Sequence, residues 1–120
     1  MDFLMQRRRE LDERPELLMA VGLLKQELEA RRGNQPPPTI PSGLSGQKLR
    51  DLPAFLEPIG TFLEYNPASF KKAYGFFSEE VLLCAESSLL WDGDARYDNS
   101  VYWRSFKRFV TATRNRGYTL

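Results

Sequence analysis

Phe70, Tyr74, Phe77, Val81, Cys84, Ser88 and Trp91 alternate at four- and three-residue steps. That spacing keeps one side of an α-helix facing a single neighbour over many turns, and no β-strand reproduces it. It predicts one long helix over residues 67–91, opened by Asn66-Pro67 as cap and first-turn proline. Gly75 falls inside this helix, where it costs about 1 kcal/mol relative to alanine. Its missing side chain suggests a close approach by another helix.

The rest of the chain follows the same period. Residues 3–32 are rich in Leu, Glu and Arg, all good helix formers. Pro15 marks a restart, so a short helix over 3–13 and a longer one over 15–32 are expected, the latter stopped by Gly33. Leu52, Phe55, Leu56, Ile59, Phe62 and Leu63 define a helix over 51–65 with Asp51 as cap; Pro58 should kink it, because it lacks an N–H and crowds the carbonyl four residues back. Tyr102, Phe106, Phe109 and Thr113, widened by Trp103 and Val110, define a last helix over 101–115. No repeat and no convincing strand is present. The expected fold is an all-α small helical bundle.

Between the first helices and the rest lies "GNQPPPTIPSGLSGQ", residues 33–47, without one charge. Consecutive prolines favour an extended path, and the following glycines and serines loosen it. Three parts follow: an N-terminal helical arm over 1–32, a Pro/Gly-rich linker over 33–47 and a bundle core over 48–120. The Pro-x-x-P spacing from Pro38 to Pro41 fits a linker better than a docking motif. "GLSGQK" lacks the spacing of a phosphate loop and has no strand before it.

With 120 residues the chain has room for one modest core, and its net charge of +1 creates no field that would draw the whole molecule to nucleic acid or anionic lipid. It has no histidine and one cysteine. The usual zinc ligands, every Ser-His or Cys-His pair and any internal disulfide are thereby excluded. The longest apolar run, "LLMAVGLL" at 17–24, falls short of the roughly 20 residues that cross a bilayer. Arg7-Arg8-Arg9 followed by Glu10 and Asp12 is unlike a signal peptide. A cytoplasmic location is expected, or a cytosol-facing one if an N-terminal anchor has been removed.

Only "WDGDARYDNS", residues 91–100, gathers carboxylates around a glycine. Read as a calcium loop from Asp92, it would need an oxygen ligand at Arg96, a glycine at Tyr97 and a glutamate at Trp103, and all three fail. The stretch reads instead as a turn: Gly93 ends one helix, and Asp98, Asn99 or Ser100 caps the next. Glu79-Glu80 is no acid/base pair, since adjacent helical residues diverge. Cys84, on the aromatic seam, reads as a small core residue. No catalytic residue, metal site or cofactor is expected.

Two surfaces remain as candidate sites. Leu17, Val21, Leu24 and Leu28 form a narrow apolar stripe flanked by Glu16, Lys25, Glu27 and Glu29, the pattern of a helix that pairs with another helix. Its partner is the chain's own bundle, a second copy or another protein. Arg104, Lys107, Arg108 and Arg114 oppose the apolar face of the last helix, in a basic segment that follows an acidic one at 51–98. They suit an acidic partner or nucleic-acid phosphates, or simply complement the chain's own acidic helices. The aromatics of that helix share its apolar face rather than alternating with the cations, which weakens the nucleic-acid reading. A non-enzymatic protein-interaction module, or a small subunit of a larger assembly, is therefore expected, with a small nucleic-acid-binding regulator as the alternative.

"FLEPIGTFLEYNPASFKKAYGFF", "LLW" and "YWRSFKRF" together resemble a group of small bacterial helical domains of unknown function. The matching positions are Phe55, Glu57, Ile59 and Gly60, then Tyr74 to Phe77, Trp91 and Phe106, across residues 48–114. Many members of that group carry an N-terminal membrane anchor, a segment not expected within these 120 residues. The resemblance implies a helical fold and no established activity.

Overall fold

A computed structural model of the chain describes residues 2–44, 46–91 and 101–120. Helices α1 (Phe3–Asp12), α2 (Pro15–Arg32), α4 (Asp51–Tyr65), α5 (Phe70–Glu86) and α6 (Arg104–Asn115) build the bundle. A single turn of helix, α3 (Gly46–Leu49), leads into α4, and 3₁₀ turns at Pro67–Ser69 and Val101–Trp103 lead into α5 and α6. The architecture is all-α, with no strand among the described residues. None of their helices is long and apolar enough to cross a membrane.

The starts of α1 and α2 follow their sequences, whereas α4 begins at Asp51 itself, behind Arg50, with no side-chain cap. Asp2 caps α1 by accepting the Met5 N–H at 2.9 Å, and its carboxylate also pairs with Lys72 of α5. Pro15 occupies the first turn of α2, where its missing N–H has no partner to lose. Past the end of α2 the left-handed residue is Asn34, at φ 54°, rather than Gly33, at φ −92°. Asparagine tolerates that conformation, and the Gln35 N–H closes back on the Ala30 carbonyl at 2.7 Å. Helix α4 runs through Pro58 without ending.

The long helix expected over 67–91 is shorter. It opens with a 3₁₀ turn and stops at Glu86, because Ser87 turns to extended backbone at ψ 137°. The stop comes from α2. The buried Glu27 carboxylate accepts the Ser87 hydroxyl at 2.7 Å and the backbone N–H groups of Ser88 and Leu89 at 2.9 and 3.1 Å. Those partners satisfy a buried charge and hold residues 87–89 away from the helix axis, and the Ser87 hydroxyl accepts the Leu90 N–H in turn. Trp91 then returns to α5, its indole N–H donating to the Cys84 carbonyl at 2.8 Å. The stretch from Asp92 to Ser100, read as a turn, lies outside the described residues.

One core unites all five long helices. Leu11, Leu17, Leu24, Leu56, Ile59, Phe77, Phe106 and Phe109 are buried together. The N-terminal helices, expected as an arm whose docking partner the sequence left open, share this core. Arg8 of α1 fixes them further: it donates to the Phe76 carbonyl at 2.8 Å and to the nearly buried Glu80 carboxylate at 2.6 Å. Glu79 instead pairs with Lys25 of α2 at 2.9 Å, so the adjacent carboxylates do diverge. Cys84 is buried, and burial holds its thiol well above the usual range.

Candidate interaction surface

The stripe Leu17, Val21, Leu24 and Leu28 is not on the surface. Leu17 and Leu24 are fully buried, Val21 is 8% exposed, and Leu28 packs against the same core. This fold therefore offers the stripe neither to a second copy nor to another protein, because α2 is already docked on α5 and α4. Helix α2 exposes Leu18 and Met19 instead.

The basic helix is different. Phe106, Phe109, Val110 and Thr113 of α6 point inward, leaving Arg104, Lys107, Arg108 and Arg114 exposed on the outer side. Arg104, Lys107 and Arg108 border one shallow groove with Thr111, Ala112 and Asn115. Arg114, seven residues after Lys107, continues the same side. The sequence of α6 contains no acidic residue.

Helix α4 positions α6. Gly60 lies against Ser105 so closely that a Cβ there would sit 2.2 Å from the Ser105 carbonyl oxygen. Gly75, expected to permit such an approach, has nothing within 4 Å of its missing side chain. One turn before Gly60, Glu57 reaches the N-terminus of α6 and accepts the N–H of Ser105 at 3.1 Å and of Phe106 at 2.6 Å. One turn after it, Glu64 accepts from the Ser105 hydroxyl at 3.2 Å and pairs with Arg108 at 2.9 Å. Burial raises the Glu57 carboxyl above its usual value, Glu64 adds repulsion, and the two N–H bonds oppose both. The interaction of acidic α4 with basic α6 is thus real, and it engages Arg108.

Beside this contact an open cleft of about 200 Å³ separates α6 from the end of α4 and the start of α5. Its floor is apolar: Gly60, Leu63, Pro67, Phe70, Phe109 and Ala112. Glu64, Arg108 and Arg116 form its polar edges. The Arg116 guanidinium lies 3.6 Å above the centre of the Phe70 ring, and the next cavity along adds Lys71. Tyr74 is stacked on Tyr118.

Among the described residues no cluster of Asp, Glu or Cys side chains suits a metal ion. Comparison with protein-family models, curated proteins and solved structures returned no match. The sequence exposed the four cations of α6 but not the cleft, whose floor comes from three helices. A local signal for Glu57, Gly60 and Glu64 was present: their three-four spacing places a small residue between two carboxylates on one side of an otherwise apolar helix.

Proposed function

We propose that the chain is a non-enzymatic protein-interaction module, or the small subunit of a larger assembly, that receives an acidic protein surface on the outer side of α6. The carrying observation is the exposed row Arg104, Lys107, Arg108 and Arg114 on a helix with no acidic residue of its own. Such a row steers and orients an acidic partner even when the net charge of the whole chain is only +1.

A nucleic-acid-binding regulator is the second reading, favoured by Tyr102, an 87% exposed ring two residues before Arg104. Against it, most rings on this side are occupied, with Tyr65 the exposed exception: Phe106 and Phe109 are buried, Arg116 covers Phe70, and Tyr118 covers Tyr74. Base stacking needs open ring faces.

Fluorescence anisotropy with a labelled glutamate-rich peptide, duplex DNA and single-stranded DNA separates the two. The peptide should bind, weaken with salt and be lost in the double variant Arg104→Glu, Lys107→Glu. Tighter binding of either DNA, with a steep salt dependence and loss in Tyr102→Ala, would install the second reading instead.

A further inference from the structure

Resting on that reading of α6, we infer that the cleft between α4 and α6 takes one large apolar side chain of the acidic partner. The partner is thereby a short acidic segment with an apolar anchor, not a purely charged surface. Three observations converge on this chemistry. The floor formed by Leu63, Phe70, Phe109 and Ala112 is apolar, with only the edges of these side chains reaching the cleft, and the space of about 200 Å³ above it accommodates a leucine- or phenylalanine-sized group. Arg108 and Arg116 stand on its edges, and Lys71 lies beyond Arg116. Glu64 is the one acidic residue on the edge, and it is already held by Arg108 and Ser105.

The charges select the occupant. Arg108 is paired with Glu64 and Arg116 lies on Phe70, so what selects the occupant is the excess of positive charge at the rim, Arg108, Arg116 and Lys71 against the single Glu64. An acidic segment places carboxylates on Arg108 and Arg116 while its anchor removes the floor from water. The cleft also adjoins the groove of Arg104, Lys107 and Arg108, with Arg108 and Ala112 shared by both. One extended segment therefore reaches both sites.

The test compares two labelled peptides on the full chain: a glutamate-rich peptide with one central leucine, and the same peptide with serine there. The leucine peptide should bind about tenfold tighter or better, as expected for burial of a side chain of that size. Amide resonances of Leu63, Phe109 and Ala112 should shift with the leucine peptide only. Ala112→Phe, which fills the cleft, should lower affinity for the leucine peptide, with its fold checked by circular dichroism. Equal affinity of the two peptides for the unmodified chain would overturn the cleft while leaving the charged face of α6 in place. Failure of both to bind would remove the interaction reading along with it. A dimer in sedimentation that Ala112→Phe disperses would assign the cleft to a second copy, overturning the acidic segment.

Discussion

Glu57 of α4 closes the N-terminus of α6, accepting the backbone N–H of Ser105 at 3.1 Å and of Phe106 at 2.6 Å. The first residues of α6 have no side-chain cap of their own. Unpaired N–H groups and the positive end of the helix dipole make a carboxylate from a neighbouring helix an effective substitute.

Glu57→Ala is therefore expected to lower stability by about 1–2 kcal/mol, the usual range for loss of a capping acceptor. Glu57→Gln, which keeps one carbonyl acceptor, should recover part of the loss. Urea denaturation of the three proteins at neutral pH measures this. An alanine variant as stable as the parent would show that water caps α6 equally well.

The pH dependence has a definite sign. Burial places the Glu57 carboxyl above its ordinary value of 4.5 in the folded chain. The folded state then holds that proton more tightly than the unfolded state, so the stability it confers is complete below 4.5 and is lost as pH rises through the folded value. Relative to Glu57→Gln, the parent should lose stability as pH is raised from about 4.5, then level off. The Asp2 and Glu16 carboxyls are shifted the other way, Asp2 chiefly by Lys72 and Glu16 chiefly by Arg14. They act in both proteins and cancel in the difference. A difference that grows with pH would mean that the two N–H bonds outweigh burial.

Two glycines should respond oppositely to alanine. At Gly60 the added methyl meets the Ser105 backbone, which cannot move without shifting α6, so Gly60→Ala should destabilise by roughly 1–3 kcal/mol or more. At Gly75 nothing lies within 4 Å and the helix interior favours alanine, so Gly75→Ala should stabilise by about 0.5–1 kcal/mol. Thermal melts of the pair decide it. Equal and small effects would contradict the close approach of α4 and α6.

Helix boundaries were legible where local chemistry sets them. Pro15 starts α2, and the spacing of Phe106, Phe109 and Thr113 defines the buried side of α6, although Tyr102, read on that side, is exposed. Asp51, read as a cap, is the first residue of α4, behind an uncapped Arg50. Boundaries were illegible where a distant residue sets them. At Ser87 only part of the stop is local, the Ser87 hydroxyl accepting the N–H of Leu89 and Leu90, while the carboxylate that fixes the turn is Glu27 on another helix. Periodicity likewise reveals which side of a helix is apolar but not what covers it. Leu17, Val21 and Leu24 were therefore readable as a stripe, and only packing assigns them to the chain's own core. The cations of α6 were readable for the same reason, whereas the adjoining cleft needs Leu63, Phe70 and Phe109 from three helices.

The assignment of α2 to the core has a thermodynamic consequence. An arm tethered by an uncharged proline-rich stretch would unfold by itself, before the remaining helices. Here Leu17 and Leu24 share one core with Phe77 and Phe106, and Arg8 of α1 is bound to Glu80 of α5. The two tryptophans lie at the other end of the sequence, Trp91 packed on Trp103 at 5.3 Å and on Phe106 at 6.2 Å. Their fluorescence reports the bundle around α6, whereas ellipticity at helical wavelengths reports every helix, α1 and α2 included. The two signals should lose their native values in one coincident urea transition. Leu24→Ala should shift both together, by about 2–5 kcal/mol as for other buried leucines, without separating them. Leu18→Glu, at an exposed position one residue beyond Leu17, should leave both nearly unchanged. An early ellipticity loss that Leu24→Ala enlarges, while the fluorescence transition stays fixed, would return α1 and α2 to the status of an independent arm.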